Sequence, residues 1–279
     1  MITLVAVTLA MLSSSNSAPP PTVSNLQCEY LTSPNVVETP APRLSWITNY
    51  SGRNWNQMAY RIQVASSLAA LQKSKPDLWD SGTVTSDSSI QIEYGGEPLA
   101  SGQKCFWKVR VWDKDGNPSA WSKPAEWEMG LLKESDWKNS QWIGRNADSP
   151  SPEPAPYLRK EFNANGKISK AKLYVCGLGY AELHLNGKKL GNTERDPGYT
   201  NFDKRVLYIA HDVTSAIKQG PNALGAILGT GWYDTHDRAT WNFHKAPWRS
   251  RPRMRLLLNI EYADGRTESV VSDNSWKLS

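Results

Sequence analysis

The chain has 279 residues, of which 39% are hydrophobic and 21% charged, a balance typical of a soluble globular protein long enough for two ordinary domains. Its net charge of +5 comes from lysines and arginines scattered along the chain, which gives no support to a nucleic-acid-binding protein. Tryptophan is unusually abundant, with 13 copies. Indole rings suit β-sandwich cores and also ligand-stacking surfaces, and we expect most of these in cores.

The first 18 residues predict a secretory signal peptide. The apolar run from Ile2 to Leu12 is too short to span a bilayer, and small residues follow from Ser13 to Ala18. No lysine or arginine precedes the apolar run, which departs from the usual pattern. We therefore expect export to a periplasm or the cell exterior, without a membrane-spanning segment. Residues 19–21 are all proline and predict a stiff linker.

Residues 22–130 show short runs in which apolar and polar residues alternate, separated by Gly, Asp and Asn turn signals. This pattern predicts an all-β sandwich. The segment KCFWKVRVWDKDGNPSAWS, from Lys104 to Ser122, resembles the penultimate strand and following hairpin of a fibronectin type III domain. The resemblance implies a fibronectin type III-like β-sandwich over residues 22–130. The predicted strands include 43–47, 60–65, 89–94 and 106–112.

Residues 137–279 predict a second β-sandwich, of jelly-roll type. A junction at 131–142 and a proline-rich loop at 149–156 precede new alternating runs. Asn186-Gly187 predicts a tight hairpin turn, and Asp212 can cap a single helical turn that extends to Ile217. No long amphipathic helix is predicted, so the fold class is all-β with two tandem sandwiches.

Two segments of the second sandwich resemble the N-terminal β-domain of bacterial α-L-rhamnosidases. They run from Asp196 to Tyr233 (DPGYTNFDKR…GTGWY) and from Lys245 to Lys277 (KAPWRSRPRMRLLLNIEY…). The resemblance implies an inverting glycoside hydrolase whose carboxylates lie on a later helical barrel. No position here matches that barrel, so no catalytic residue is assigned, and we expect this chain to be inactive by itself. The implied partners are a rhamnose-containing glycan and the missing barrel.

A candidate sugar-binding face lies in the second sandwich. Aromatic rings stack on the C–H faces of sugars, and carboxylates accept bonds from hydroxyls. The alternative is that these rings pack against protein, since exposed aromatic patches also mark interfaces. The loop Thr235–Ser250 is long for a sandwich connection, which favours a functional role. The candidate residues are Tyr199, Asp203, Trp232, Tyr233, Asp234 and Trp241.

The resemblance also implies that calcium is a candidate cofactor, because related domains can use it to hold rhamnose. Carboxylate and amide oxygens are the ligands that calcium prefers. The candidate ligands are Asp196, Asn201 and Asp203. No helix-loop-helix calcium motif and no zinc spacing of Cys and His is present in the sequence.

Three further patterns leave alternatives open. Cys28, Cys105 and Cys176 predict small buried side chains, although Cys28 and Cys105 are candidates for a disulfide. Alternating arginines at 249, 251, 253 and 255 indicate a strand face that is either solvated or an anion site, and we expect the solvated face. As a whole, the chain also fits a stand-alone binding or adhesion module, or a structural spacer.

Overall fold

The computed structural model describes residues 19–146, 154–236, 238 and 241–279. The predicted signal peptide and part of the proline-rich loop lie outside the described residues. The chain forms two compact units, one ending at Gly130 and the other running from Leu131 to Ser279. No described helix is long and apolar enough to cross a membrane.

The first unit contains two antiparallel sheets and one short helix. One sheet has the strand order β1-β2-β6, and the other β4-β3-β7-β8 with β5 paired to β3. The helix α1 begins after Ser67, whose hydroxyl accepts a bond from the backbone N–H of Ala70. The elements are β1 Thr22–Cys28, β2 Arg43–Asn49, β3 Ala59–Ala65, α1 Leu68–Gln72, β4 Trp79–Asp80, β5 Val84–Thr85, β6 Ile92–Glu93, β7 Lys104–Trp112 and β8 Ala125–Glu128.

Large indole rings fill the core of the first unit. Trp46, Trp107 and Trp127 are each at most 2% exposed. The indole N–H of Trp46 donates to the Gln57 side chain at 3.2 Å, and that of Trp127 donates to the sulfur of Met129 at 3.3 Å. Since buried polar groups are costly without partners, these bonds allow the rings to be buried completely.

The predicted strand at 89–94 is much shorter in the structure, where only Ile92–Glu93 pairs with β2. Gln91 has a φ of 55°, in the left-handed region, which interrupts the extended backbone. The residues before it instead supply carbonyl groups to neighbours. Ser89 accepts a bond from the backbone N–H of Trp46, and Ser88 accepts one from the Gln57 amide.

The second unit is a sandwich of two antiparallel sheets. The first sheet has the order β13-β12-β15-β10-β18, and the second β14-β11-β16-β17 with β9 paired to β16. The strands are β9 Ile143–Gly144, β10 Tyr157–Ala164, β11 Ile168–Leu178, β12 Tyr180–Leu185, β13 Lys188–Lys189, β14 Tyr208–Asp212, β15 Gly220–Gly229, β16 Arg253–Tyr262, β17 Thr267–Val271 and β18 Lys277–Leu278.

The core of the second unit is mainly aliphatic. On β12, Ala181, Leu183 and Leu185 point inward while the residues between them stay partly exposed. The predicted Asn186-Gly187 turn is confirmed, since both residues have positive φ and β12 pairs with β13 across them. Gly179 joins β11 of one sheet to β12 of the other, and a Cβ there would lie 2.3 Å from the Gly229 carbonyl oxygen, so this close approach requires glycine.

The outer face of the second sheet is also covered. A 3-10 turn over Glu134–Trp137 places Trp137 against Tyr174 and Leu257. The Arg255 guanidinium lies 5.0 Å from the Trp137 ring centroid and 2.5 Å from the Glu134 carboxylate. The expectation of a solvated arginine face is therefore wrong at Arg255, whose side chain is only 13% exposed.

All three cysteines are free and buried, as the sequence predicted. Burial raises the pKa of the Cys28 and Cys105 thiols to about 12. Both thiols therefore stay protonated and act as small apolar side chains.

Candidate functional site

Seven aromatic side chains meet at one end of the second sandwich, and we call them the aromatic cluster. Phe243 is central, with its ring centroid 5.4 Å from both Tyr199 and Trp232, and 5.7 Å from Trp241. Phe202 links Tyr199 to Tyr233 at 5.7 and 5.2 Å. The members are Tyr199, Phe202, Trp232, Tyr233, Trp241, Phe243 and Trp248.

Three chain segments position the aromatic cluster. The turn after β15 is closed by a bond of 3.1 Å from the Asp234 backbone N–H to the Thr230 carbonyl. In the segment before β14, the Asn201 carbonyl accepts the backbone N–H groups of Lys204 and Arg205, each at 2.9 Å. The third segment is the 3-10 turn Phe243–Lys245. Because these segments adjoin the strands of one sandwich, residues more than 40 positions apart in sequence come together.

The cluster has a buried side and an exposed side. Tyr233 is only 7% exposed, whereas Trp232, Tyr199 and Trp241 are 40%, 46% and 68% exposed. The structure thus brings together all four aromatic residues that the sequence singled out. It assigns a packing role to Tyr233 and leaves the other three rings accessible.

Two buried ring nitrogens in this region have no hydrogen-bond partner among the described residues. They are Nε1 of Trp248 and Nδ1 of His244. An unmade bond at a buried polar atom costs free energy, so water, a ligand or loop residues outside the described ranges complete these positions. Both atoms lie on the loop that carries Trp241 and Phe243.

Asp234 is the centre of a buried ionic network. It is 3% exposed, and its Oδ1 lies 3.2 Å from Nε of Arg249. Its Oδ2 lies 3.2 Å from Nη1 of Arg251 and 3.3 Å from Nε2 of His236. The Nη2 atom of Arg249 also lies 2.6 Å from Nδ1 of His236. Both carboxylate oxygens therefore face cationic or imidazole groups, which favours a role in holding the loop over direct contact with a sugar.

The three predicted calcium ligands do not share one cavity. Asp203 is exposed, and its backbone N–H donates to the Asn201 side-chain oxygen at 3.2 Å. Asp196 instead lines a separate cavity of about 340 Å³ together with Glu182 and His211. Burial lowers the pKa of His211, and Asp196 opposes that shift. Among the described residues, no three His, Cys, Asp or Glu side chains are grouped as metal ligands. The calcium site stays a prediction.

Sequence reasoning missed several members of this site, although signals were present. Phe202 lies inside the segment that carried the family resemblance, and Phe243 and Trp248 lie in the loop judged too long for a simple connection. Arg249 and Arg251 belong to the alternating basic stretch, for which the sequence pattern predicts a solvated strand face. Arg251 is in fact only 11% exposed at its side chain and pairs with Asp234.

Two family models match the chain. The model described as "Rha78A-like, N-terminal immunoglobulin domain" matches residues 23–133. The model described as "Alpha-L-rhamnosidase N-terminal domain" matches residues 166–279, which include the whole aromatic cluster. The first match agrees with the β-sandwich of the first unit and the second with most of the second unit.

Individual relatives agree with these models. An α-L-rhamnosidase of Formosa agariphila is 36% identical over 270 residues, which cover 88% of this chain and 28% of the relative. One of Alteromonas sp. is 37% identical, covering 85% of this chain and 26% of the relative. The chain thus spans about a quarter of the length of these curated relatives.

Solved structures show the same similarity. An α-L-rhamnosidase from Dictyoglumus thermophilum superimposes with a TM-score of 0.83 at 34% identity, covering 92% of this chain and 29% of that chain. The Streptomyces avermitilis α-L-rhamnosidase complexed with L-rhamnose gives a TM-score of 0.86 at 26% identity, covering 93% of this chain and 41% of that chain.

Proposed function

We propose that this chain, which belongs to the α-L-rhamnosidase family as two of its N-terminal domains, is the sugar-recognising region of an enzyme that releases terminal L-rhamnose from glycans. The observation that carries the proposal is the exposed side of the aromatic cluster, where Tyr199, Trp232 and Trp241 are accessible. Cleavage belongs to another part of the enzyme, because the described residues of this chain form β-sandwiches without a helical barrel.

The chemistry of a sugar fits the exposed side of the cluster. A pyranose ring presents C–H groups on one face, which pack on an indole, and hydroxyl groups at its rim. Trp232 contacts both Trp241 and Phe243, so it supplies the centre of the stacking surface. Asp203 is close to Tyr199 in sequence and is exposed, so its carboxylate is available to accept hydroxyl bonds. We assign Asp234 to positioning, because its oxygens already face Arg249 and Arg251.

Titration calorimetry with L-rhamnose and with a rhamnosyl disaccharide tests the proposal. A monosaccharide makes few contacts, so we expect a dissociation constant on the order of 0.1–1 mM. Trp232→Ala should weaken binding by about tenfold or more with little change in the melting curve. The matched control is Trp142→Ala, which removes another exposed indole of the second unit outside the cluster and should leave binding unchanged.

Three outcomes distinguish the alternatives. If the unsubstituted chain binds no rhamnoside, the structural spacer is the better interpretation. If Trp232→Ala unfolds the second unit, the ring is a packing residue. A chelator tests the calcium prediction separately. Loss of sugar binding when calcium is removed would support a calcium site formed by Asp196, Asn201 and Asp203. Unchanged binding would exclude calcium from the site while the sugar-binding proposal remains supported. The same preparation should release no p-nitrophenol from its α-L-rhamnoside, so that the heat reports binding.

A further inference from the structure

The outer face of the first sheet in the second unit carries a groove that runs along β15. The inward residues of β15 alternate with Ala223, Gly225, Ile227 and Gly229, which therefore point to the outer face. Apart from the isoleucine, these residues are alanine or glycine, so the middle of the face is low. Two cavities of about 490 Å³ each lie along it, and Ala223 and Arg159 line both. We call this feature, with its floor on β15, the sheet groove.

Larger side chains on the neighbouring strands form the walls of the sheet groove. Gly225 lies between His184 of β12 and Arg159 of β10, its direct partners in the two ladders. Directly opposite residues project to the same face, so a glycine between two long side chains leaves a trough. Tyr157 is paired with Ile227 in the same way and is 56% exposed. The walls therefore include an accessible aromatic ring.

The charged groups on the two walls are paired with one another. On β10, Nη2 of Arg159 lies 2.7 Å from the Glu161 carboxylate. On β12, the Glu182 carboxylate lies 2.8 Å from Nε2 of His184 and 3.3 Å from Nζ of Lys189. The lysine of β18 lines the groove as well. All the paired side chains are partly exposed, so the walls offer both donors and acceptors to a ligand.

The surroundings of β15 favour a sugar chain over a polypeptide in the sheet groove. Since β15 is paired with β12 on one side and β10 on the other, an extended peptide finds no free strand edge for main-chain bonds. A helix or an apolar protein surface would have to desolvate the ion pairs of the walls, which costs free energy. A neutral oligosaccharide avoids both costs, because its hydroxyls replace water at the paired charges and its C–H faces pack on tyrosine.

One end of the sheet groove lies beside the aromatic cluster. The ring of Tyr180, which is the ladder partner of Gly229, contacts the turn after β15, since a Cβ at Gly231 would lie 3.2 Å from that ring. Trp232 is the next residue of that turn. The floor from Ala223 to Gly229 spans about 20 Å at the usual rise of a strand. A groove of that length accommodates several linked sugar rings.

We propose that the sheet groove binds a neutral stretch of glycan, several sugars long, that continues from the terminal rhamnose held at the aromatic cluster. The inference rests on the proposed function and extends it from one sugar to the chain behind it. Tyr157 supplies the stacking ring, and the paired side chains of the walls bind hydroxyl groups. The small residues of the floor allow the sugar rings to approach the sheet closely.

A series of ligands of increasing length tests the sheet groove by titration calorimetry. The ligands are L-rhamnose, a rhamnosyl disaccharide and a linear neutral hexasaccharide of rhamnose. We expect the hexasaccharide to bind about tenfold more tightly than the disaccharide, because only the longer ligand reaches the groove. Gly225→Leu fills the floor and should remove that gain without changing the affinity for the disaccharide. The substitution fits the strand, since the atom nearest to a Cβ there, on His184, is 3.8 Å away.

Two further variants complete the test. Thr267→Leu adds the same side chain at an exposed position of β17 and should keep the whole gain. Tyr157→Ala should remove part of the gain and leave the melting temperature and the disaccharide affinity unchanged. Equal affinity for disaccharide and hexasaccharide, or a gain that Gly225→Leu leaves intact, would overturn the inference while the rhamnose site stands. Hexasaccharide binding that Gly225→Leu abolishes and Trp232→Ala leaves intact would support the groove and overturn the rhamnose site at the cluster.

Discussion

The two units place several of their tryptophans differently, although Trp137 and Trp276 of the second unit are buried as well. In the first unit, Trp46, Trp107 and Trp127 lie on strands and fill the core. In the second, the core is mainly aliphatic, and Trp232 and Trp241 lie in the segments after β15, where they are 40% and 68% exposed. The comparison teaches that the number of tryptophans does not reveal their role. A tryptophan at an inward-facing position of a strand fills the core, whereas one on a loop can remain exposed.

The largest expected effect separates a core indole from a surface indole. Trp107→Ala should cost about 3–5 kcal/mol in the free energy of unfolding, because it leaves a cavity in a packed core. Trp241→Ala should change it by less than about 0.5 kcal/mol, since that ring is 68% exposed. Calorimetric unfolding of both variants measures the difference. Similar losses for the two substitutions would break the comparison.

The second largest expected effect compares a buried with an exposed carboxylate of the second unit. Asp234→Asn removes the carboxylate between Arg249 and Arg251, and we expect a loss of about 2–4 kcal/mol. The loss falls below that of a fully buried pair because the Arg249 side chain is 32% exposed. Asp203→Asn, at an exposed carboxylate, should cost less than about 0.5 kcal/mol. Urea unfolding gives both values, and an Asp234→Asn variant as stable as the Asp203→Asn control would contradict the network.

The smallest expected effect is a pH-dependent change in the stability of the first unit. Hydrogen bonds from the Arg61 side chain hold the pKa of Asp80 at about 2, below its ordinary value of 3.8. A depressed folded-state pKa means that the stabilisation is complete above pH about 4 and is lost as the pH falls towards 2. It should amount to less than about 1 kcal/mol, because both side chains are partly exposed. Asp80→Asn should flatten that part of the curve of melting temperature against pH. An unchanged acid slope would show that Asp80 does not contribute to it.

Local pattern was enough to predict the longer strands and the Asn186-Gly187 turn, but not the extent of the short strand near Ile92. Apolar and polar residues alternate along β12, and Met254, Leu256 and Leu258 of β16 alternate with the arginines; the apolar residues of both patterns are buried. Asn186-Gly187 predicted its hairpin because positive φ at both positions is a local requirement. The β-sandwich fold class is also confirmed. It could be predicted from sequence because a period-two pattern depends on neighbouring residues and not on distant contacts.

The site was less accessible from sequence, because its chemistry depends on contacts across the fold. Asp234 and its partner Arg251 are 17 residues apart, and nothing in the local pattern indicates that they meet. Alternation also could not show that Trp137 covers Arg255 on the outer sheet face. Aromatic content singled out Trp232 and Tyr199 as candidates, but which rings stay exposed is decided by tertiary packing.

The covering of the outer sheet face has a consequence for how the second unit can be isolated. Residues 131–142 look like a connector in the sequence, yet Leu131 and Trp137 shield Tyr174, Cys176 and Leu257 from water. A polypeptide that began at Tyr157 would keep both sheets of the sandwich but expose this apolar patch, and such patches promote self-association. An expression boundary placed at Leu131 retains the shielding segment, so the autonomous module begins well before its first long strand.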